Sequence, residues 1–149
     1  MSENSVKLHR VLTVTPEKVF RAFSDKDAFS SWYPPYGYVC TIDSMEFKVG
    51  GSYKMAFKNF TTGNGHSFGG EFLEITPNKS LTYTDRFDDP SLPGEILTTV
   101  ELKAVMCGTE LTIHQTNIPD AIPAEMCYLG WQECLEKLKR LVEPEIADM

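Results

Sequence analysis

Several features are scarce in this 149-residue chain, and each scarcity removes a class of function. No run of 18 apolar residues occurs, so no helix is expected to span a bilayer. Blocks of lysine or arginine are also missing. The densest basic stretch is Lys137, Lys139 and Arg140, and the formal net charge is −7. Nucleic-acid binding needs a basic patch to displace counterions from phosphate, so neither nucleic acid nor an anionic membrane is an expected partner. Histidine is limited to His9, His66 and His114, with no metal-ligand spacing among them, so no metal or other cofactor is expected. Of Cys40, Cys107, Cys127 and Cys134, the last two would sit about 10.5 Å apart along one helix, too far for a disulfide. All four read as small buried hydrophobes. GxSxG, P-loop and GxGxxG motifs do not occur. The opening Met1-Ser2-Glu3-Asn4-Ser5 lacks the basic and apolar regions of a signal peptide, which predicts a cytoplasmic protein. Nothing in the sequence sets an oligomeric state.

What is present is an ordinary globular composition, 42% hydrophobic and 23% charged. A chain of this length buries roughly 70% of its unfolded surface and can build a core without staples. Residues 5–14 alternate apolar with polar side chains and predict a strand. Thr15-Pro16 follows as N-cap and first helical residue of a short helix carrying Val19, Phe20 and Phe23. Asp25 caps a second, which carries Phe29, Trp32 and Tyr33 and is stopped by Pro34-Pro35. Residues 38–116 then read as strands separated by Gly50-Gly51, residues 61–65, Pro77-Asn78, residues 88–94 and Cys107-Gly108. From 122 to 142 the period changes. Met126, Cys127, Trp131, Cys134, Leu135, Leu138, Leu141 and Val142 recur at three and four, the mark of an amphipathic helix.

This order predicts an α+β fold. A curved antiparallel sheet of about six to seven strands wraps a long C-terminal helix, with two short helices after the first strand. Residues 1–143 are expected to form one domain and 144–149 a tail.

Twist curls such a sheet, and a helical rod about 10–12 Å across cannot fill a strongly curled one. The expected remainder is a cavity lined by Trp32, Met55, Phe57, Phe68, Tyr83, Asp85, Phe87, Val100, Met126 and Trp131. The alternative is that the same large side chains fill the space as core. Asp85 shares its predicted face with Tyr83 and Phe87, where burial would raise its pKa and suit it to acid–base work. The alternative places it in solvent, or against Arg86 or Arg10. Glu71 is expected to pair with a neighbouring Lys or Thr. The stretch Trp32-Tyr33-Pro34-Pro35-Tyr36 reads either as a pocket rim or as a plug at one end of the core.

The same order of elements resembles the START/birch-pollen-allergen superfamily, also called SRPBCC. The closer resemblance is to the activator of heat shock protein 90 ATPase-like family. It is carried by Pro16-Glu17-Lys18-Val19-Phe20, Trp32, Gly50-Gly51, Gly70-Glu71-Phe72-Leu73-Glu74-Ile75, Pro77, Leu81, Gly108-Thr109-Glu110-Leu111-Thr112 and Gly130-Trp131 followed by Leu135 and Leu138. The resemblance implies the helix-grip fold and three functional alternatives. The first is a carrier or sensor of a small hydrophobic molecule. The second is co-chaperone action on heat shock protein 90, with a link to the stress response, and the third is a cyclase- or hydrolase-like enzyme. In this fold Gly70 is expected to permit a bulge, and Gly130 to let the long helix approach the sheet with Trp131 as its anchor.

Overall fold

Alternation along the strands becomes the two faces of one sheet. The computed structural model describes residues 4–148. The chain runs β1 (Asn4–Leu12), α1 (Pro16–Ser24), α2 (Lys26–Trp32), β2 (Tyr38–Met45), β3 (Ser52–Asn59), β4 (Gly65–Thr76), β5 (Ser80–Phe87), β6 (Ile96–Val105), β7 (Gly108–Ile118) and α3 (Ala124–Val142). All seven strands pair antiparallel in the order β1-β7-β6-β5-β4-β3-β2. From β2 to β7 the order is a meander, each connection returning the chain beside the strand it left, whereas α1 and α2 carry the chain from β1 at one edge to β2 at the other. On β6, Ile96, Thr98, Val100 and Leu102 are buried and Leu97, Glu101 and Lys103 are exposed, so one face is core and the other solvent.

The short helices start where their caps require. Thr15 Oγ1 accepts from the Lys18 backbone N–H, and Asp25 Oδ1 accepts from the N–H groups of Asp27 and Ala28. Their buried residues, Phe23, Phe29 and Trp32, pack ring against ring with centroids 4.9–6.2 Å apart. The Trp32 indole N–H donates to Ala22 O at 2.9 Å and locks the two helices together. This block fills one end of the hollow beneath the sheet. Only about 10 Å³ of space remains there, bounded by Phe23, Phe29, Met55, Phe72, Leu81 and Tyr83 among others.

α3 packs against β1 and the short helices, burying Trp131, Cys134, Leu135, Leu138 and Val142. Two residues placed inward by periodicity are only partly covered: Leu141 is 43% exposed beside the buried Val142, and Met126 is 63% exposed. The helix C-terminus is tied to the loop after β1 by Glu143, whose carboxylate accepts from the Thr13 N–H at 3.0 Å. Residues 144–148 have no regular structure.

Two glycines have roles that differ from expectation. Gly70 does not bulge: the register of β4 on β5 shifts further on, between Phe72 and Glu74. Gly70 instead lies under a crossing side chain. It pairs with Tyr53 of β3, and the Tyr53 hydroxyl reaches over it to Thr84 O of β5, at 2.6 Å. A Cβ on Gly70 would lie 1.8 Å from Thr84 O. Gly130 makes no close approach, since a Cβ there would meet nothing within 4 Å.

These sites predict opposite responses to the same change. Gly70→Ala should lower unfolding free energy by about 1–3 kcal/mol or more, the usual cost of overpacking. Gly130→Ala should raise it by up to about 1 kcal/mol, the helix-propensity difference. Urea unfolding of both variants checks the pair.

Candidate functional site

Beyond the aromatic block, the hollow between sheet and helix stays open. A cavity of about 270 Å³ lies there, lined by Tyr33 and Pro35 after α2, Phe57 of β3, His66 and Phe68 of β4, Asp85 and Phe87 of β5, Ile96, Gln115, Ile122, and Met126, Cys127, Gly130, Trp131 and Cys134 of α3. Its walls are mainly apolar, and the exposure of Met126 and His66 places both at the mouth. The rings form a continuous wall. Trp131 meets Tyr33 edge-on at 5.7 Å, Tyr33 meets Phe57 at 5.9 Å, Phe57 meets Phe68 at 4.9 Å, and His66 bridges Phe57 and Phe87. A larger depression of about 370 Å³ on the outer sheet face is lined by Glu74, Lys79, Glu101, Lys103 and Glu110. Its charged, solvated walls suit it less to an apolar ligand than the ring-lined cavity.

The segment after α2 is a rim. Cys134 Sγ donates to Tyr33 O at 2.8 Å, Lys137 Nζ donates to Pro34 O at 2.9 Å, and the Tyr36 N–H donates to Glu133 Oε1 at 3.1 Å. Prolines 34 and 35 cannot donate, so these side chains of α3 hold the segment through the groups that remain.

One polar array sits in the wall. Asp85 is 6% exposed and accepts at Oδ2 from the Thr98 hydroxyl, at 3.3 Å. Thr98 in turn accepts from Gln115 Nε2 at 3.0 Å, and the Tyr33 and Tyr83 hydroxyls pair at 2.9 Å. Asp85 Oδ1 hydrogen-bonds the Tyr53 hydroxyl. Among the described residues no Arg, Lys or His pairs with Asp85: Arg86 turns outward to Glu95, and Arg10 donates to His9 O. The carboxyl is buried, as expected, but its partners are hydroxyl groups and not the arginines considered above.

Proton counting follows from this geometry. The Tyr53 phenol touches two oxygens, Thr84 O and Asp85 Oδ1, but owns one proton, and a carbonyl owns none. The phenol's single proton is shared between these two acceptors. Burial pushes the Asp85 carboxyl from 3.8 up to about 6, although the hydrogen bonds it accepts from Tyr53 and Thr98 favour the ionised form. Burial likewise raises the phenols of Tyr33, Tyr53 and Tyr83 above their usual range, and the Cys134 thiol to about 12. It lowers His66. Among the described residues, no group of three or more His, Cys, Asp or Glu is arranged to hold a metal.

Six of the residues placed at the cavity by sequence line it: Phe57, Phe68, Asp85, Phe87, Met126 and Trp131. The other four do not. Met55 and Tyr83 bound the tightly packed end, Trp32 is wholly buried within the helix block, and Val100 is core. Met55, Tyr83 and Val100 share the inner face of the sheet but lie too far along it, toward the end that the short helices, Trp32 among them, fill. Tyr33 belongs to the stretch offered as a rim, and it does line the cavity; Tyr53, His66, Gln115 and Gly130 were missed as site residues, although strand alternation signals the first three. Tyr53 shares a face with Phe57, His66 with Phe68, and Gln115 with Ile113. The Glu71 side chain is exposed, and it is the residue's backbone N–H that bonds, to Thr84 Oγ1 at 3.0 Å.

With the fold and cavity established, comparison with known proteins adds a family. Residues 13–143 match the model described as Activator of Hsp90 ATPase homolog 1-like protein. The chain belongs to that family. No curated protein matches it. Among solved structures, a Chromobacterium violaceum protein is 51% identical, superposes with a TM-score of 0.94, and is matched over 95% of this chain and 99% of its own. The AHSA1-like protein from Aeromonas hydrophila shares the fold at 20% identity, with a TM-score of 0.77 and 93% and 92% coverage. A Staphylococcus epidermidis protein does so at 20% identity and 0.80, with 100% and 96% coverage. In this Activator of Hsp90 ATPase homolog 1-like chain, the helix-grip architecture is therefore shown, and among the described residues no helix is long and apolar enough to cross a membrane.

The buried carboxyl makes a pH prediction. Its folded pKa is raised above the unfolded value, so the native state binds the extra proton between about pH 4 and 6. Its contribution to stability is therefore fullest below about pH 4 and is lost as pH rises through about 6. Two pKa units amount to about 3 kcal/mol. Asp85→Asn, which keeps the shape without the charge, should gain on the wild type by that order as pH rises from about 4 to 8. Urea midpoints across that range check it. Equal pH dependence of the two proteins would contradict the assignment.

Proposed function

We propose that this protein holds one small, largely apolar, ring-shaped molecule between the sheet and α3, as a carrier or sensor. The observation that carries this reading is the open cavity of about 270 Å³ walled by six rings. An apolar cavity of about 150 Å³ takes benzene, so this one has room for a substituted or fused ring. Most of its walls are fixed before binding: the rim is bonded to α3, and Phe57, Phe68 and Trp131 are held by ring contacts. A preformed apolar site of this kind loses little ordering entropy when filled.

Gly130 supplies a direct test, because it lines the cavity and leaves space where a side chain would stand. Native mass spectrometry of purified protein should detect a co-purifying small molecule. Gly130→Leu should fold as stably as the wild type yet lose that adduct, along with thermal shifts from added aromatic compounds. Retention of the adduct by a folded Gly130→Leu protein would place the ligand elsewhere. If no small molecule binds the wild type at all, the reading fails.

Family membership supports a second reading, contact with heat shock protein 90. It predicts that purified protein raises that chaperone's ATPase rate, and that Gly130→Leu does so equally well. An unchanged rate with wild-type protein would dispose of it.

A further inference from the structure

The cavity has a chemical asymmetry that its apolar character does not explain. It contains an acid but no positive group. Asp85 lines it, fully surrounded, with two hydroxyl partners and no cation. A carboxylate has about four lone-pair positions, and these bonds use two. The groups facing it from every packed element are neutral near pH 7: Tyr53 of β3, His66 of β4, Tyr83 of β5, Thr98 of β6, Gln115 of β7, Tyr33 after α2, and Cys127 and Cys134 of α3. Lys137 of α3 is engaged with Pro34 O.

Gln115 extends the asymmetry. Because Thr98 donates to Asp85, it must accept from the Gln115 amide N–H, and that fixes the orientation of the amide. The Gln115 carbonyl oxygen is left with no partner among the described residues, beside a cavity the residue lines. The polar part of the site is thus rich in acceptors. Around it stand Phe57, Phe68, Phe87 and Trp131, whose ring faces carry negative potential. Aromatic walls with one carboxylate and no competing cation are the chemistry that recognises an organic ammonium ion.

We propose that the ligand of this cavity is a small aromatic or aliphatic amine bound as its ammonium ion, its charge held by Asp85 and its apolar part by the rings. This rests on the reading of the cavity as a small-molecule site and adds the class of molecule. Below about pH 6 the empty site carries a proton on Asp85, and an entering ammonium ion exchanges with it: the proton leaves to solvent and one positive charge replaces another. Above that pH Asp85 is already ionised, and the ammonium ion neutralises a buried charge that has no other cation among the described residues. A neutral molecule of the same shape cannot make the exchange, and a carboxylate ligand would meet like charge.

Three probes with one ring and similar length separate the cases: 2-phenylethylammonium, 2-phenylethanol and phenylacetate, titrated by calorimetry into wild-type protein and Asp85→Asn. At about pH 8 the ammonium should bind wild type at least about tenfold more tightly than the alcohol, and phenylacetate should bind least. Uptake of the ammonium should weaken by about tenfold per pH unit once Asp85 is protonated, below about pH 6, with about one proton released per ion bound. Asp85→Asn should abolish both the preference and the pH dependence while still binding the alcohol. Equal binding of alcohol and ammonium to wild type, or tighter binding of phenylacetate, overturns the inference and leaves the small-molecule site standing. If none of the three binds, both fall.

Discussion

The structure depends on a mismatch of widths. Seven strands laid side by side at about 4.8 Å spacing span about 29 Å, and one helix covers about 10–12 Å of that. Twist curls the sheet around the helix but leaves space at its flank. The chain fills that space at one end with α1 and α2, whose Phe23, Phe29 and Trp32 pack solidly beneath β3–β5. Nothing comparable is inserted at the other end. There α3 presents Gly130 where a larger residue would close the gap, and the cavity remains. The Tyr33–Tyr83 hydroxyl pair marks the division, since Tyr33 borders both the filled and the open end.

A second constraint operates within the sheet. Tyr53 crosses β4 at Gly70 to reach Thr84 O on β5, and the same Thr84 O lies where a side chain at position 70 would stand. The crossing delivers a hydroxyl to Asp85, the one buried acid among the described residues, and takes the place of a cationic partner. An ion pair would have neutralised Asp85 permanently. Hydroxyl partners satisfy it by hydrogen bonding while leaving its charge open to a proton or to a ligand. The architectural glycine and the chemistry of the cavity are thus consequences of one arrangement.

Legibility of the sequence varied by level. The caps at Thr15 and Asp25, the stop at Pro34-Pro35 and the inner faces of the strands depend on neighbours within a few residues, and each formed as read. The fold followed, because a meander ending in a long amphipathic helix has few alternatives. The site was legible only in part. Alternation said that Met55, Tyr83 and Phe57 share a face, but not that the first two lie at the filled end and the third at the open one. Position along a strand becomes position in a cavity only after the short helices dock. Gly130 misled for a related reason: glycine in a helix fits close packing and empty space equally well, and the difference lies in what stands opposite.

The sequence by itself determined the order of elements and the faces that turn inward, since these are local properties. Only the tertiary structure decided which inward residues meet a void, that Asp85 would face hydroxyls and not an arginine, and that one tyrosine would pass over a glycine two strands from its target. Those outcomes depend on register and on the docking of α1 and α2, which bring together residues far apart in the chain and have no signature in any short stretch of it.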